Sequence, residues 1–265
     1  MRKRWMVLTL SMGVALAAQA SAFDVHVHNE QCGYDSNYDI QVESAGIDFR
    51  RASGEPTDVF MHDGRLRVDG RPVAVSATDA DRLRQYEQQT RELLPQMAGI
   101  AREAIGIGFD AMATVAATLG GSQHHRDKLV DRLNHERRAA LRQLDTHLSA
   151  SRWDTQGLDS AIEQPVTDAA DELAHSVTGS VLWSVLTGRA SEVEARADSI
   201  DQSIDKVMKQ RSDQLEARAK AVCPRLKAMD QLQQQLGFRL PDGTPLQLIS
   251  PNRESDNKAG QLAAR

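Results

Sequence analysis

Residues 59–79 read Val59-Phe60-Met61-His62-Asp63-Gly64-Arg65-Leu66-Arg67-Val68-Asp69-Gly70-Arg71-Pro72-Val73-Ala74-Val75-Ser76-Ala77-Thr78-Asp79. Two Asp-Gly pairs sit between short alternating runs, and the alternation stops at Ser76. Asp-Gly between such runs predicts tight hairpins, because a type I′ turn needs positive φ at both central residues. Upstream, Phe23-Asp24-Val25-His26-Val27-His28, Tyr38-Asp39-Ile40-Gln41-Val42 and Ile47-Asp48-Phe49 also alternate. The reading for 23–77 is an N-terminal antiparallel β-meander of five or six short strands. So few strands need another element to cover one face.

At Ser76-Ala77-Thr78-Asp79 the period becomes helical, with hydroxyl residues ahead of an acid as at a helix N-terminus. Leu83, Tyr86, Leu93 and Leu94 follow at helical spacing, and Pro95 predicts a kink or restart. A second helix is expected from Ile100 to Leu119, stopped by Gly120-Gly121, and a third from about His125 to Ser149. Trp153 to Gly157 reads as a loop. A fourth helix is expected over Ser160–Thr187, disturbed at Pro165. Ser191 and Glu194 open a fifth. In that last helix Met208, Leu215, Val222, Met229 and Leu236 recur every seven residues, with Ala219 and Leu226 on the alternate seam and a break expected at Pro224. The predicted class is α+β and helix-dominated: a small β-meander, then a bundle of about five long helices over 78–236. Phe238–Leu248 reads as a turn between extended pieces that returns toward the sheet. The segment 237–265 ends in a polar tail expected to be disordered.

The chain has 265 residues, 40% hydrophobic and 4% aromatic, with two cysteines and formal net charge −5. That fits helices better than a β-sandwich and excludes both wholesale disorder and a disulfide-built scaffold. Residues 1–22 have the form of a signal peptide: basic Arg2-Lys3-Arg4, an apolar run from Trp5 to Ala18, and Ala20-Ser21-Ala22 before a cleavage point at Phe23. A site after Ala20 competes. The apolar run is shorter than the ~20 residues a membrane span needs. Cleavage removes three basic and no acidic residues, so 29 basic stand against 37 acidic, a net charge of −8. Such a surface does not favour nucleic acid or anionic lipid. In the one basic stretch, Arg126, Lys128, Arg132, Arg137, Arg138 and Arg142 are interleaved with Asp127, Asp131 and Glu136, the pattern of a solvated helix face.

Cys32 and Cys223 are predicted to pair, since an exported chain meets an oxidising compartment and neither lies in a Cys-x-x-Cys motif. Ala104–Gly121 and Leu173–Thr187 are nearly uncharged and rich in small residues, which predicts a central helix pair flanked by amphipathic helices. A membrane-spanning pair is disfavoured by Asp110. An amphiphile-binding crevice and a partner-docking helix are the other readings.

The run Cys32-Gly33-Tyr34-Asp35-Ser36-Asn37-Tyr38-Asp39 is one of two distinctive stretches. The other is Asp63–Val73, leading into Asp81–Pro95 with Tyr86 and Arg91. With the signal peptide, these resemble the YggN-like family of uncharacterised proteobacterial exported proteins. The resemblance covers about a third of the chain. It implies a periplasmic location and a β-then-α order, and no chemistry.

For metal, His26 and His28 on one strand and His62 on another are the candidate ligands, without a fixed acidic or cysteine partner. Adjacent His124 and His125 would diverge. The chain contains no Gly-x-Ser-x-Gly elbow, Walker loop or His-Glu-x-x-His, and Gly106-Ile107-Gly108 lies in a helical pattern. No catalytic residue and no cofactor is predicted. The expected function is a non-enzymatic envelope protein that binds or scaffolds through its helices. Its alternatives are a periplasmic carrier of a lipid or other amphiphile, and a metal-dependent enzyme at the sheet histidines.

Overall fold

The computed structural model describes residues 32–119, 121–186, 207–240 and 242–251. The expected strand at 23–28, the signal peptide, the opening of the last helix and the end of the polar tail lie outside these residues. The meander forms a six-stranded antiparallel sheet from β2 (Asp39–Glu43), β3 (Gly46–Arg50), β4 (Asp58–His62), β5 (Arg65–Val68), β6 (Arg71–Val73) and β7 (Arg152–Trp153), in the order β6-β5-β4-β3-β2-β7. Both Asp-Gly pairs turn with positive φ, Asp63 at 45° and Gly64 at 75°, Asp69 at 47° and Gly70 at 75°. Register follows from these turns: His62 lies opposite Arg65, and Val68 opposite Arg71. Alternation then sends Ile47, Phe49, Val59, Met61, Leu66 and Val68 to the buried face.

There are four helices among the described residues, rather than about five. α1 (Ala77–Leu119) runs for 43 residues straight through Pro95, about 65 Å at 1.5 Å per residue. Pro95 is exposed while Leu93, Leu94 and Ala98 beside it are buried. The carbonyl that loses its donor therefore lies on the solvent side, and packing holds the helix on either side of the proline. Its start is capped as expected: Asp79 N–H donates to Ser76 Oγ at 3.0 Å, and that hydroxyl donates to Asp79 Oδ2 at 2.9 Å. α2 (Gln123–His147) returns toward the sheet and α3 (Thr155–Leu186) runs outward again, with Pro165 inside it. The last helix has an upper arm, 207–220, and a lower arm, α4 (Cys223–Gln234), with Pro224 at its first turn.

The segment read as a loop at 153–157 does more than connect. Ser149 N–H bonds to Arg152 O at 2.9 Å, turning the chain so that β7 pairs with β2 at Ile40 and Gln41. This buries Trp153 to 8% exposure and covers part of an edge strand that would otherwise be open.

Two cores share α1. In the first, the inner sheet face packs on Leu83, Tyr86 and Leu93 of α1, on Val222, Leu226 and Met229, and on Leu240, Leu246, Leu248 and Ile249 near the C-terminus. In the second, Leu94, Ala98, Ile105, Phe109 and Ala116 of α1 pack with Leu129, Leu133, Ala140 and Leu144 of α2 and Leu158, Ile162 and Ala169 of α3. The C-terminal segment does return, but to β1 (Tyr34–Asp35), with which β8 (Ser250–Pro251) forms a separate two-stranded sheet. Asp79 anchors the approach to it, accepting Gly237 N–H at 3.0 Å and Arg82 Nη1 at 3.0 Å.

Cys32 and Cys223 form a disulfide, Cα atoms 5.0 Å apart across 191 positions of sequence. Closing so long a loop stabilises by about 5 kcal/mol in the chain-entropy model. Replacing both cysteines by serine should lower the urea midpoint without changing the far-ultraviolet dichroism of the folded state. An unchanged midpoint would contradict a stabilising bridge.

Candidate functional site

Of the two small-residue stretches expected to form a central pair, the one on α1 is described almost throughout, and the one on α3 has side chains described only from Leu173 to Gly179. On α1, Ile105, Ile107, Phe109 and Ala116 are buried, as expected. On α3 the part of that stretch whose side chains are described, Leu173–Gly179, is half-buried or exposed, while α1, α2 and α3 all contribute to one core. The glycines of α1 also have another use. A Cβ on Gly106 would come within 3.2 Å of Arg137 Nη2, and one on Gly99 within 3.4 Å of Arg218 Nη2. They make room for guanidinium groups, not for a close-packed helix backbone.

Those guanidinia belong to a chain of ion pairs along α1. Asp110 takes Arg137 of α2 on Oδ1 at 2.7 Å and Arg211 of the upper arm on Oδ2 at 2.6 Å. Arg218 pairs with Glu103, and Arg225 with Glu92 at 3.1 Å. Arg211, Arg218 and Arg225 are seven apart, in step with the Met208–Leu215–Val222 seam and three residues beyond each of its members. That coincidence of periods was the available sequence sign of an antiparallel charged seam, and composition alone hides it. Each exposed pair contributes only ~0.2–1 kcal/mol, so the ladder sets register more than stability.

Within the basic stretch of α2, two arginines pair with acids of the neighbouring helices and a third bonds to neutral groups at the helix start. Arg126 donates to Gly121 O and Gln123 Oε1, Arg132 to Glu172 of α3, and Arg137 to Asp110. Between α2 and α3 a shallow cleft of about 190 Å³ is lined by Arg132, His135, Glu136, Asp168 and Glu172 over Leu133 and Ala169. Its walls are charged, which suits a polar ligand and not an acyl chain. At the outer end of this pair, His125 Nε2 lies 2.9 Å from Ser176 Oγ.

The sequence pattern of DUF2884, described as a protein of unknown function, matches residues 32–249. The chain belongs to the DUF2884 family. No curated protein and no solved structure matches it. The family span takes in both cysteines, the sheet, the bundle and the C-terminal return through Ile249. It assigns no chemistry to any of them.

Among the metal candidates, His26 and His28 fall outside the described residues. His62 ends β4, half exposed, with Nδ1 3.4 Å from Glu87 Oε1. Among the described residues no group of three or more His, Cys, Asp or Glu side chains is placed to hold a metal ion. Glu87 is instead a structural junction between α1 and the first hairpin. It is 8% exposed, takes Arg91 Nη2 at 2.7 Å on Oε1, and accepts the turn's Asp63 N–H at 2.9 Å on Oε2. Burial pushes its carboxyl up, but the bonds from Arg91, Asp63 N–H and His62 outweigh this and hold it below the usual range. A lowered folded value means stability that is complete above the unfolded value and lost as pH falls through the folded one. Glu87→Gln should therefore be less stable than wild type at neutral pH, with the gap closing below about pH 4. Urea titrations at neutral and acid pH check this, and a gap that widens in acid would refute it.

Proposed function

We propose that the protein is an exported, non-enzymatic binding module that works through its helical bundle. The observation that carries this reading is the uncharged stretch Leu173–Gly179 of α3, which lies half-buried or exposed in a bundle whose other surfaces are dense with ion pairs. Leu173 packs against the second core, and the exposed members Ala174, His175, Thr178 and Gly179 are small or polar, a face with little side-chain bulk to hold a partner away.

Export is supported by the sequence of residues 1–22, by the YggN-like resemblance, and by a disulfide that fits an oxidising compartment. Among the described residues no helix is long and apolar enough to cross a membrane. In a diderm envelope this reading places the mature chain in the periplasm, beginning at Phe23.

The test is a photo-crosslinking amino acid placed in cells at Ala174 or Val177, with Lys209 on the upper arm as control. One reproducible adduct from the α3 positions, absent from the control and lost on Val177→Asp, is the expected result. Equal labelling from all three positions, or none, would overturn the reading. N-terminal sequencing of the fractionated protein should begin Phe-Asp-Val, and an intact Met1 start on the recovered protein would contradict export with cleavage.

A further inference from the structure

The C-terminal segment 244–251 lies between α4 and β1, and its backbone is held there largely by side chains. Leu248 N–H donates to Gln233 Oε1 at 2.9 Å, and Ile249 N–H donates to the same oxygen at 3.3 Å. Gln233 Nε2 donates in return to Ile249 O at 2.5 Å, and Ser36 Oγ donates to Leu248 O at 2.8 Å. All four backbone groups of two consecutive residues are thus bonded to just two side chains, one on each wall. Only at Ser250 and Pro251 does an ordinary strand pairing with Asp35 and Tyr34 take over.

Gln233 is itself fixed for this work. Its Nε2 also donates to Asp230 Oδ1 at 2.9 Å, which leaves the amide oxygen facing the segment as acceptor. Asp230 is held in turn by Gln234 Nε2 at 2.8 Å and the Tyr34 hydroxyl at 3.4 Å. Side chains of the segment alternate accordingly: Leu246 and Leu248 are buried, Gln247 is exposed, and Ile249 is buried again. Backbone contacts that ignore side-chain identity, joined to apolar pockets at set spacing, are the way grooves recognise extended peptides.

One polar group in this region is not used by the segment. The Tyr86 hydroxyl, on a residue 2% exposed and close enough to Asp230 to feel its charge, has no hydrogen-bond partner among the described residues.

We propose that the groove between α4 and β1 is a peptide-binding site occupied in cis by residues 246–249, and that it accepts in trans an extended, uncharged peptide with apolar side chains at its first, third and fourth positions. The site lies at the sheet end of the molecule, away from the α3 surface, and does not depend on the bundle's role. While joined to α4, the cis segment competes at an effective concentration on the order of millimolar, so exchange requires that it be released.

The experiment uses the full chain with a specific protease site placed at the exposed turn Asp242–Gly243, cut after folding. The probe is a fluorescent peptide of the sequence Thr244–Pro251. The uncut chain should show no saturable binding. The cut chain should bind and be competed by unlabelled peptide, but not by a peptide carrying Leu246→Asp and Leu248→Asp. Gln233→Ala in the cut chain should weaken binding about tenfold or more, from three lost hydrogen bonds, and Ser36→Ala should weaken it less. Failure of the folded cut chain to bind, equal binding of the aspartate peptide, or unfolding on cleavage would each overturn the proposal. None of these outcomes bears on crosslinking from α3.

Discussion

The continuity of α1 through Pro95 is the constraint on which the rest of the structure depends. Its first half supplies Leu83, Tyr86 and Leu93 to the core under the sheet, and its second half supplies Leu94 to Ala116 to the core of the bundle. Neither core is closed without it. Six short strands bury one face only because a helix lies across them, and α2 and α3 have a shared floor only because that helix continues outward. A break at Pro95 would leave the two cores held together by the β2–β7 pairing and the last helix. Buried neighbours on the inner side and an exposed proline on the outer side prevent that break.

Polar contacts then fix how the other elements lie on this spine. Glu87 ties it to the first hairpin and Asp79 ties it to the C-terminal return, while Asp110, Glu103 and Glu92 align the last helix. The contacts differ in kind. Glu87 and Asp79 are buried and bonded to backbone N–H groups, so their loss strands a buried donor. The arginine ladder is exposed and serves mainly to choose one register among several that the heptad leucines and methionines would allow. The disulfide adds a covalent tie between the N-terminal edge and the joint of the last helix, beside the groove that holds the C-terminal segment.

Much of this was legible from residue order. The Asp-Gly pairs specified both hairpins because almost no other chemistry favours two positive φ values in succession. Ser76 and Asp79 marked the start of α1, and Pro224 marked the joint before α4. What was not legible depended on which face a residue meets. A proline breaks a helix or is tolerated according to the packing around it, which no local window contains. Gly106, in an apolar helix, reads as a helix-contact position, yet it makes room for Arg137. β7 has two residues, too few for any alternation. Asp230 and Gln233 did leave a trace, as polar residues in phase with Leu226 and Met229 on the buried face of α4. A polar residue at a core position is there to bond to something, and here that is the backbone of the chain's own C-terminal segment.

The central claim is that one unbroken helix belongs to both cores, and native-state hydrogen exchange along α1 tests it most directly. Amides from Leu83 through Phe109 should share one high level of protection that collapses together with denaturant, across Pro95 as elsewhere. Separate protection on the two sides, with amides at 91–99 exchanging early, would show that the proline divides the helix and would contradict the account.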